Sequence, residues 1–314
     1  MIPIEKAQIP QGSQFDTARA LELIGLIDRA IDEYDKWNDP DDQKAPAGDL
    51  SIGDRTYRRL ASFWSSQAFL LSRKEQPFGF IAERAGDDGK PEIFVVFRGT
   101  RSGAEWLNNI TPNREPFVEG KEDELGQIRT GFRNIFINKD GKPEESIRET
   151  ITQAFEKIAT EARVFVTGHS LGAALATISV QQIRTLPHGF NQPQLYTFAS
   201  PRVGDTQFAT SLRYLEACYR IANTEDLVTV LPLSAGMIFN EQWLLELSPL
   251  TRKAIESLRG FLDFVDEISV FDPYPDYQHI GESICFTVQK VEDEETGTNI
   301  GGNHNLGTYR EALQ

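Results

Sequence analysis

Val164-Phe165-Val166-Thr167-Gly168-His169-Ser170-Leu171-Gly172-Ala173-Ala174-Leu175-Ala176 is the stretch whose reading decides the rest. A short apolar run enters a turn bounded by glycines, and a helix of small residues leaves it. The glycines permit a sharp backbone turn without a clashing Cβ, and Gly172, Ala173, Ala174 and Ala176 let the helix lie close to a sheet. Ser170 is expected to stand exposed at that turn, beside a helix amino terminus that favours negative charge. The G-x-S-x-G pattern alone is a weak signal, and a glycine-rich turn with an ordinary serine is the plainer reading. The strand, turn and helix around it give the pattern its weight.

Working outward, Phe78 to Ala82 and Ile93 to Phe97 flank Asp87-Asp88-Gly89 and read as two paired strands, the second apolar throughout and therefore central. Leu23, Ile24, Ile27, Ile31 and Tyr34 mark an amphipathic helix within residues 15–34, and residues 38–48, rich in Asp and Pro, read as a loop. Ile147, Ile151, Ala154, Phe155 and Ile158 share one face of a helix predicted over 144–160, with Pro143 in its first turn. Further strands are predicted at 195–198, 219–221 and 283–288. Helices alternating with short apolar strands predict an α/β fold with a mostly parallel central sheet covered on both faces. Residues 240–270 break that rhythm. With no linker and no repeat, the expectation is one domain over 1–314 carrying a helical cap or insertion at about 233–275.

Composition narrows the partners. Thirty-two Lys and Arg against 47 Asp and Glu leave a net charge of -15, which repels nucleic acid and anionic headgroups alike. Twenty Phe, 8 Tyr and 4 Trp exclude whole-chain disorder. Cys218 and Cys285 are the only cysteines and read as two thiols rather than a disulfide framework. The first six residues lack a basic and then apolar leader, and no apolar run approaches a membrane span, so the chain as written reads as soluble, without a transmembrane segment, and as cytoplasmic with secretion as the open alternative. Residues 292–295 form an acidic run best read as a solvated loop, and no zinc, Walker or dinucleotide pattern occurs, so no metal and no cofactor are expected.

A serine becomes a nucleophile only when a base takes its proton. Of the four histidines, His169 cannot face its own neighbour's hydroxyl and His188 precedes every candidate acid. His279 and His304 remain, and topology favours His304, which follows the last strand in a Gly301-Gly302-Asn303 loop. The acid that orients the imidazole should lie between serine and histidine in a loop at a strand's carboxyl end. Asp226 fits, with Asp205 as a rival better suited to capping a helix.

Several ordered motifs then point the same way. Phe97-Arg98-Gly99-Thr100, Gly168 to Ala176, Phe198 to Gly204, Asn223-Thr224-Glu225-Asp226-Leu227-Val228, Tyr277-Gln278-His279-Ile280-Gly281 and Asn303 to Tyr309 occur in the order seen in class 3 lipases. From about Phe78 to Tyr309 the chain resembles that α/β-hydrolase family. The resemblance implies Ser170 as nucleophile, Asp226 as acid and His304 as base. It implies an oxyanion hole from Thr100 and the backbone N–H of Leu171, while Arg98 reads as the centre of a buried salt bridge. Trp106, Leu107 and Ile110 resemble the family's lid. Two departures stand out: Arg129 occupies a place where the family usually has His, and the link between Pro232 and Tyr277 is lengthened.

The expected activity is hydrolysis of lipid carboxylic esters through an acyl-serine intermediate, foremost of triacylglycerols, with the lipid ester met at a lipid–water interface. A phospholipase or galactolipase, a soluble esterase, and a catalytically silent binding module of the same fold are the alternatives.

Overall fold

Side-chain alternation along the central strands sorts the core into two layers. Ile93, Val95 and Phe97 enter one apolar cluster with Val164 and Val166, while Phe94, Val96 and Phe165 enter the other. A strand buried on both faces has this signature. The computed structural model describes residues 5–41, 44–66, 75–100, 113–139, 141–187, 190, 192–231, 276–290 and 300–314. The helical insertion expected at 233–275, the acidic run 292–295 and His188 lie outside them.

The described strands are β1 (Glu5–Gln8), β2 (Leu50–Ile52), β3 (Arg55–Ser66), β4 (Glu75–Ala85), β5 (Pro91–Phe97), β6 (Arg114–Pro116), β7 (Gln127–Arg129), β8 (Arg163–His169), β9 (Gln194–Phe198), β10 (Gly204–Asp205), β11 (Cys218–Asn223), β12 (Tyr277–Gln278) and β13 (Glu282–Thr287). Nine form the main sheet in the order β1-β13-β11-β9-β8-β5-β4-β3-β2, and β12-β10-β7-β6 form a second, small one. The block β13-β11-β9-β8-β5 is parallel, with antiparallel strands on both flanks. Register places Phe97 beside Gly168, His169 beside Phe198 and Asn223 beside Phe286, so the carboxyl ends of the parallel strands share one edge.

One face of the sheet carries the helix Thr17–Asn38, capped by Asp16, together with the helix Leu306–Leu313. The other carries the helices Thr130–Phe136, Ile147–Phe155, Leu171–Arg184 and Thr206–Leu212. The helix expected over 144–160 is shorter. Pro143–Glu145 form a 3-10 turn, and the Ser146 side chain accepts from the Glu149 N–H at 3.2 Å, so a serine cap sets the start at Ile147. Residues 300–303 are a short helical turn rather than a loop. Cys218 and Cys285 are free thiols. Cys285 pairs in register with Ala222, four residues along β11 from Cys218, a spacing too long for a disulfide.

The opposite edge of the sheet is closed by ions. Glu92, 1% exposed, accepts from Arg19 (2.8 Å), Arg163 (2.9 Å) and Arg84, while Glu22 pairs with Arg19 and Arg55 and accepts from the Tyr57 hydroxyl at 2.6 Å. Arg19 also lies 4.1 Å over the Phe165 ring. Burial alone would raise the Glu92 carboxyl, but hydrogen bonds and charge from Arg19 and Arg84 outweigh it and hold the group below the usual carboxylate range. Glu92→Gln therefore leaves clustered guanidiniums short of an anion and should cost about 3 kcal/mol, read as a drop in urea midpoint at pH 7. Because the folded carboxyl is depressed, the gap between wild type and variant should be full above about pH 5 and close as pH falls below about 4. A gap that persists unchanged in acid would assign it to packing.

Candidate active site

Ser170 stands between β8 and the helix Leu171–Arg184 with φ of 58°, a left-handed conformation that side chains rarely adopt. Two close approaches hold it there. A side-chain carbon placed on Gly168 would fall 2.2 Å from the Gly172 carbonyl oxygen, and one on Gly172 would fall 2.4 Å from the Arg98 carbonyl oxygen and 2.7 Å from that of Phe97. Only glycine lets the helix come this near to β5, and the strained turn follows from that nearness. The Ser170 N–H donates to the Phe198 carbonyl at 2.9 Å, tying the turn to the end of β9. Ser170 was expected to be exposed, yet it is 1% exposed, and its Oγ is buried without a hydrogen-bond partner. The Thr100 Oγ1, just beyond β5, is in the same condition. Leu171 opens the helix, so its N–H has no acceptor within it.

Asp226 and His304 are brought together. His304 Nδ1 lies 2.8 Å from Asp226 Oδ2. A carboxylate only accepts, so the imidazole carries its proton on Nδ1 and presents a lone pair at Nε2. Asp226 is 1% exposed and fully used: the Tyr309 hydroxyl donates to Oδ2 at 2.6 Å and the Val228 N–H to Oδ1 at 3.0 Å. Burial first, then the Asp226 charge, push the Tyr309 phenol well above its usual range, which keeps it a donor.

Two asparagines stitch the Asp226 turn to the His304 turn. The Asn223 amide donates to the carbonyls of Val288 (2.9 Å) and Asn303 (3.1 Å), and the Asn303 amide to that of Glu225 (3.2 Å). Asn303 also accepts from the Lys290 N–H at 2.7 Å. Both lie inside motifs the sequence singled out, and the sequence reading gave them no role. His169 is a third such residue. Its Nε2 lies 2.8 Å from the His304 carbonyl oxygen, and since a carbonyl only accepts, Nε2 carries the proton. Burial above all, with a smaller electrostatic push from the His304 ring beside it, lowers His169 to about 3, so it is neutral.

The remaining candidates have other duties. His279 is half-buried, makes a backbone hydrogen bond with Thr229, and is pushed well below its usual range by desolvation and by Arg220 and Arg202. Asp205 caps the helix Thr206–Leu212 by accepting from the Phe208 N–H at 2.8 Å. Arg129, in place of the expected histidine, is buried with its guanidinium 5.5 Å from the Phe132 ring centre. Trp106, Leu107 and Ile110 lie outside the described residues. Among the described residues no cluster of three or more His, Cys, Asp or Glu is placed to hold a metal ion, and no helix is long and apolar enough to cross a membrane.

A strained serine turn, an acid and a histidine gathered in chain order at the carboxyl edge of a mostly parallel sheet define the α/β-hydrolase class. Residues 94–235 match the model of the family described as lipase (class 3). It is 26% identical over 270 residues to phospholipase A1-Ialpha2, chloroplastic, of Arabidopsis thaliana, an alignment covering 77% of this chain and 49% of that protein. It is 31% identical over 175 residues to the lipase of Rhizomucor miehei, covering 53% and 46%. The chain thus spans about half the length of the curated relatives it matches. A crystal structure of a mutant of MDLA from Penicillium cyclopium superposes with a TM-score of 0.52 at 20% identity, over 96% of each chain, and shares the fold.

The His169 contact has a consequence for acid stability. An unfolded histidine binds a proton near pH 6.5, whereas folded His169 resists until about 3. Its folded value is depressed, so the stability is kept above the unfolded value and lost as pH falls from there toward the folded one. The urea midpoint should therefore decline below about pH 6.5, and His169→Gln, whose amide can still donate to the His304 carbonyl, should decline less steeply, by about one proton. Equal slopes would show that His169 takes up its proton in the folded protein.

Proposed function

We propose that the chain is a serine carboxylic ester hydrolase acting on lipid esters, acylglycerols first among them. The observation that carries the reading is the 2.8 Å contact of His304 Nδ1 with a fully hydrogen-bonded Asp226, at the same sheet edge as the strained Ser170. In this reading Ser170 Oγ attacks the ester carbonyl and His304 Nε2 takes its proton. Asp226 stabilises the imidazolium, and the N–H groups of Thr100 and Leu171 receive the negative charge on the former carbonyl oxygen. His304 then protonates the leaving alcohol, and water releases the acid from the acyl-serine by the same steps reversed. The chemistry asks nothing of a cofactor.

A second reading, hydrolysis of a phospholipid acyl ester, draws support from the phospholipase A1 relative. The two share every bond change at the serine and differ in the leaving alcohol. Initial rates on triolein, phosphatidylcholine, a galactolipid and a short soluble ester separate them.

Ser170→Ala should lose at least about 10³-fold in kcat and all fluorophosphonate labelling while keeping its melting temperature. A tenth of the activity surviving in pure mutant would overturn the assignment of the nucleophile. His304→Ala should match that loss, and His279→Ala should act mainly through stability. Inactive, folded His279→Ala beside active His304→Ala would reverse the choice of base.

A further inference from the structure

Arg98 is 1% exposed, and its guanidinium is clamped. Nε donates to the Pro77 carbonyl at 2.6 Å, Nη2 to Gln76 Oε1 at 2.9 Å and Nη1 to the Gly99 carbonyl at 2.8 Å. The Tyr34 and Phe78 rings lie 3.7 and 4.9 Å from its centre. The Arg98 N–H donates to the Phe78 carbonyl at 2.9 Å, so the main chain is held as firmly as the side chain. The sequence reading expected a salt bridge at Arg98; the contacts above are made with neutral oxygens and ring faces.

One of these contacts bears on the reaction. The Gly99 carbonyl and the Thr100 N–H belong to a single peptide unit, planar and trans, in which they point in opposite directions. Holding the carbonyl toward Arg98 therefore directs the N–H away from it. The unit borders the nucleophile, since a side-chain carbon placed on Gly99 would fall 3.3 Å from Ser170 Cβ. A guanidinium on the carbonyl end also draws electron density through the peptide and makes its N–H the stronger donor.

We propose that Arg98 is a positioning residue for ester hydrolysis: its guanidinium fixes and polarises the Gly99–Thr100 peptide so that the Thr100 N–H meets the oxygen that turns negative when Ser170 attacks. The proposal rests on the hydrolase reading above and adds to it a group that never touches substrate.

The test compares full-length wild type, Arg98→Lys and Tyr34→Leu on a soluble aryl ester and the matching thionoester, with active sites counted by fluorophosphonate titration. Hydrogen-bond donors aimed at an oxyanion serve a thiono sulfur poorly, so wild type should prefer the ester. Arg98→Lys should lose about 10- to 100-fold in kcat on the ester, with KM changed less than about twofold, and should lose much less on the thionoester, so the preference collapses. Tyr34→Leu, which keeps the guanidinium and removes the ring beneath it, should shift the preference the same way by a smaller factor. Equal losses on both substrates, or an unchanged kcat per titrated site, would overturn the proposal by showing that Arg98 serves packing alone. If Arg98→Lys does not fold, an unchanged preference in Tyr34→Leu has the same force. Activity in Ser170→Ala would instead overturn the hydrolase reading, which the ester-to-thionoester preference does not probe.

Discussion

The approach of the Leu171–Arg184 helix to the end of β5 is the constraint on which the site depends. The Arg98 carbonyl occupies space that any side chain at position 172 would need, and the helix can start where it does only because Gly172 puts no side chain there. Starting there forces Ser170 into a left-handed turn between strand and helix. The strain is borne by the strongest part of the molecule: β5 and β8 are central strands in parallel register, buried on both faces. A loop could not hold a residue in so unfavourable a conformation.

Asp226 and His304 are held on a different principle. Neither sits on a strained turn. Each follows the end of its strand, and their mutual position is set by amide side chains that reach between the turns. Asn223 and Asn303 take the places that backbone pairing would fill if β11 and β13 continued. His169 reaches from the serine's turn to the main chain of His304, so the two segments share a hydrogen bond that involves neither the Ser170 hydroxyl nor the His304 ring.

Much of this was legible in the sequence, and the exceptions have physical causes. Apolar runs gave β5, β8, β9 and β11, because strands buried on both faces need no alternation to be recognised; β13, read as well, buries only alternate residues. β3 went unread. Its register shifts between Arg59 and Ala61 and again between Phe63 and Trp64, which breaks the period of two on which a half-buried strand is recognised. The second sheet was invisible for another reason: its strands are two or three residues long and carry no pattern of their own. In the site, chain order and residue chemistry singled out Ser170, Asp226 and His304. The burial of Ser170 was missed, since exposure depends on neighbours remote in sequence, and so were Asn223, Asn303 and Tyr309, whose roles exist only across the gap between β11 and the final helix.

That gap has a meaning for how the molecule comes into being. The residues around Ser170 and those around His304 are separated by much of the chain, and the His304 segment is pinned by Tyr309 in a helix that packs against the one formed by Thr17–Asn38. Contacts between such distant segments are slow to form, because loop closure must precede any gain from them. The meeting of Asp226 with the His304 imidazole thus waits on the packing of two helices far apart in the chain, and central strands that have formed alone hold the Ser170 turn with no imidazole near it.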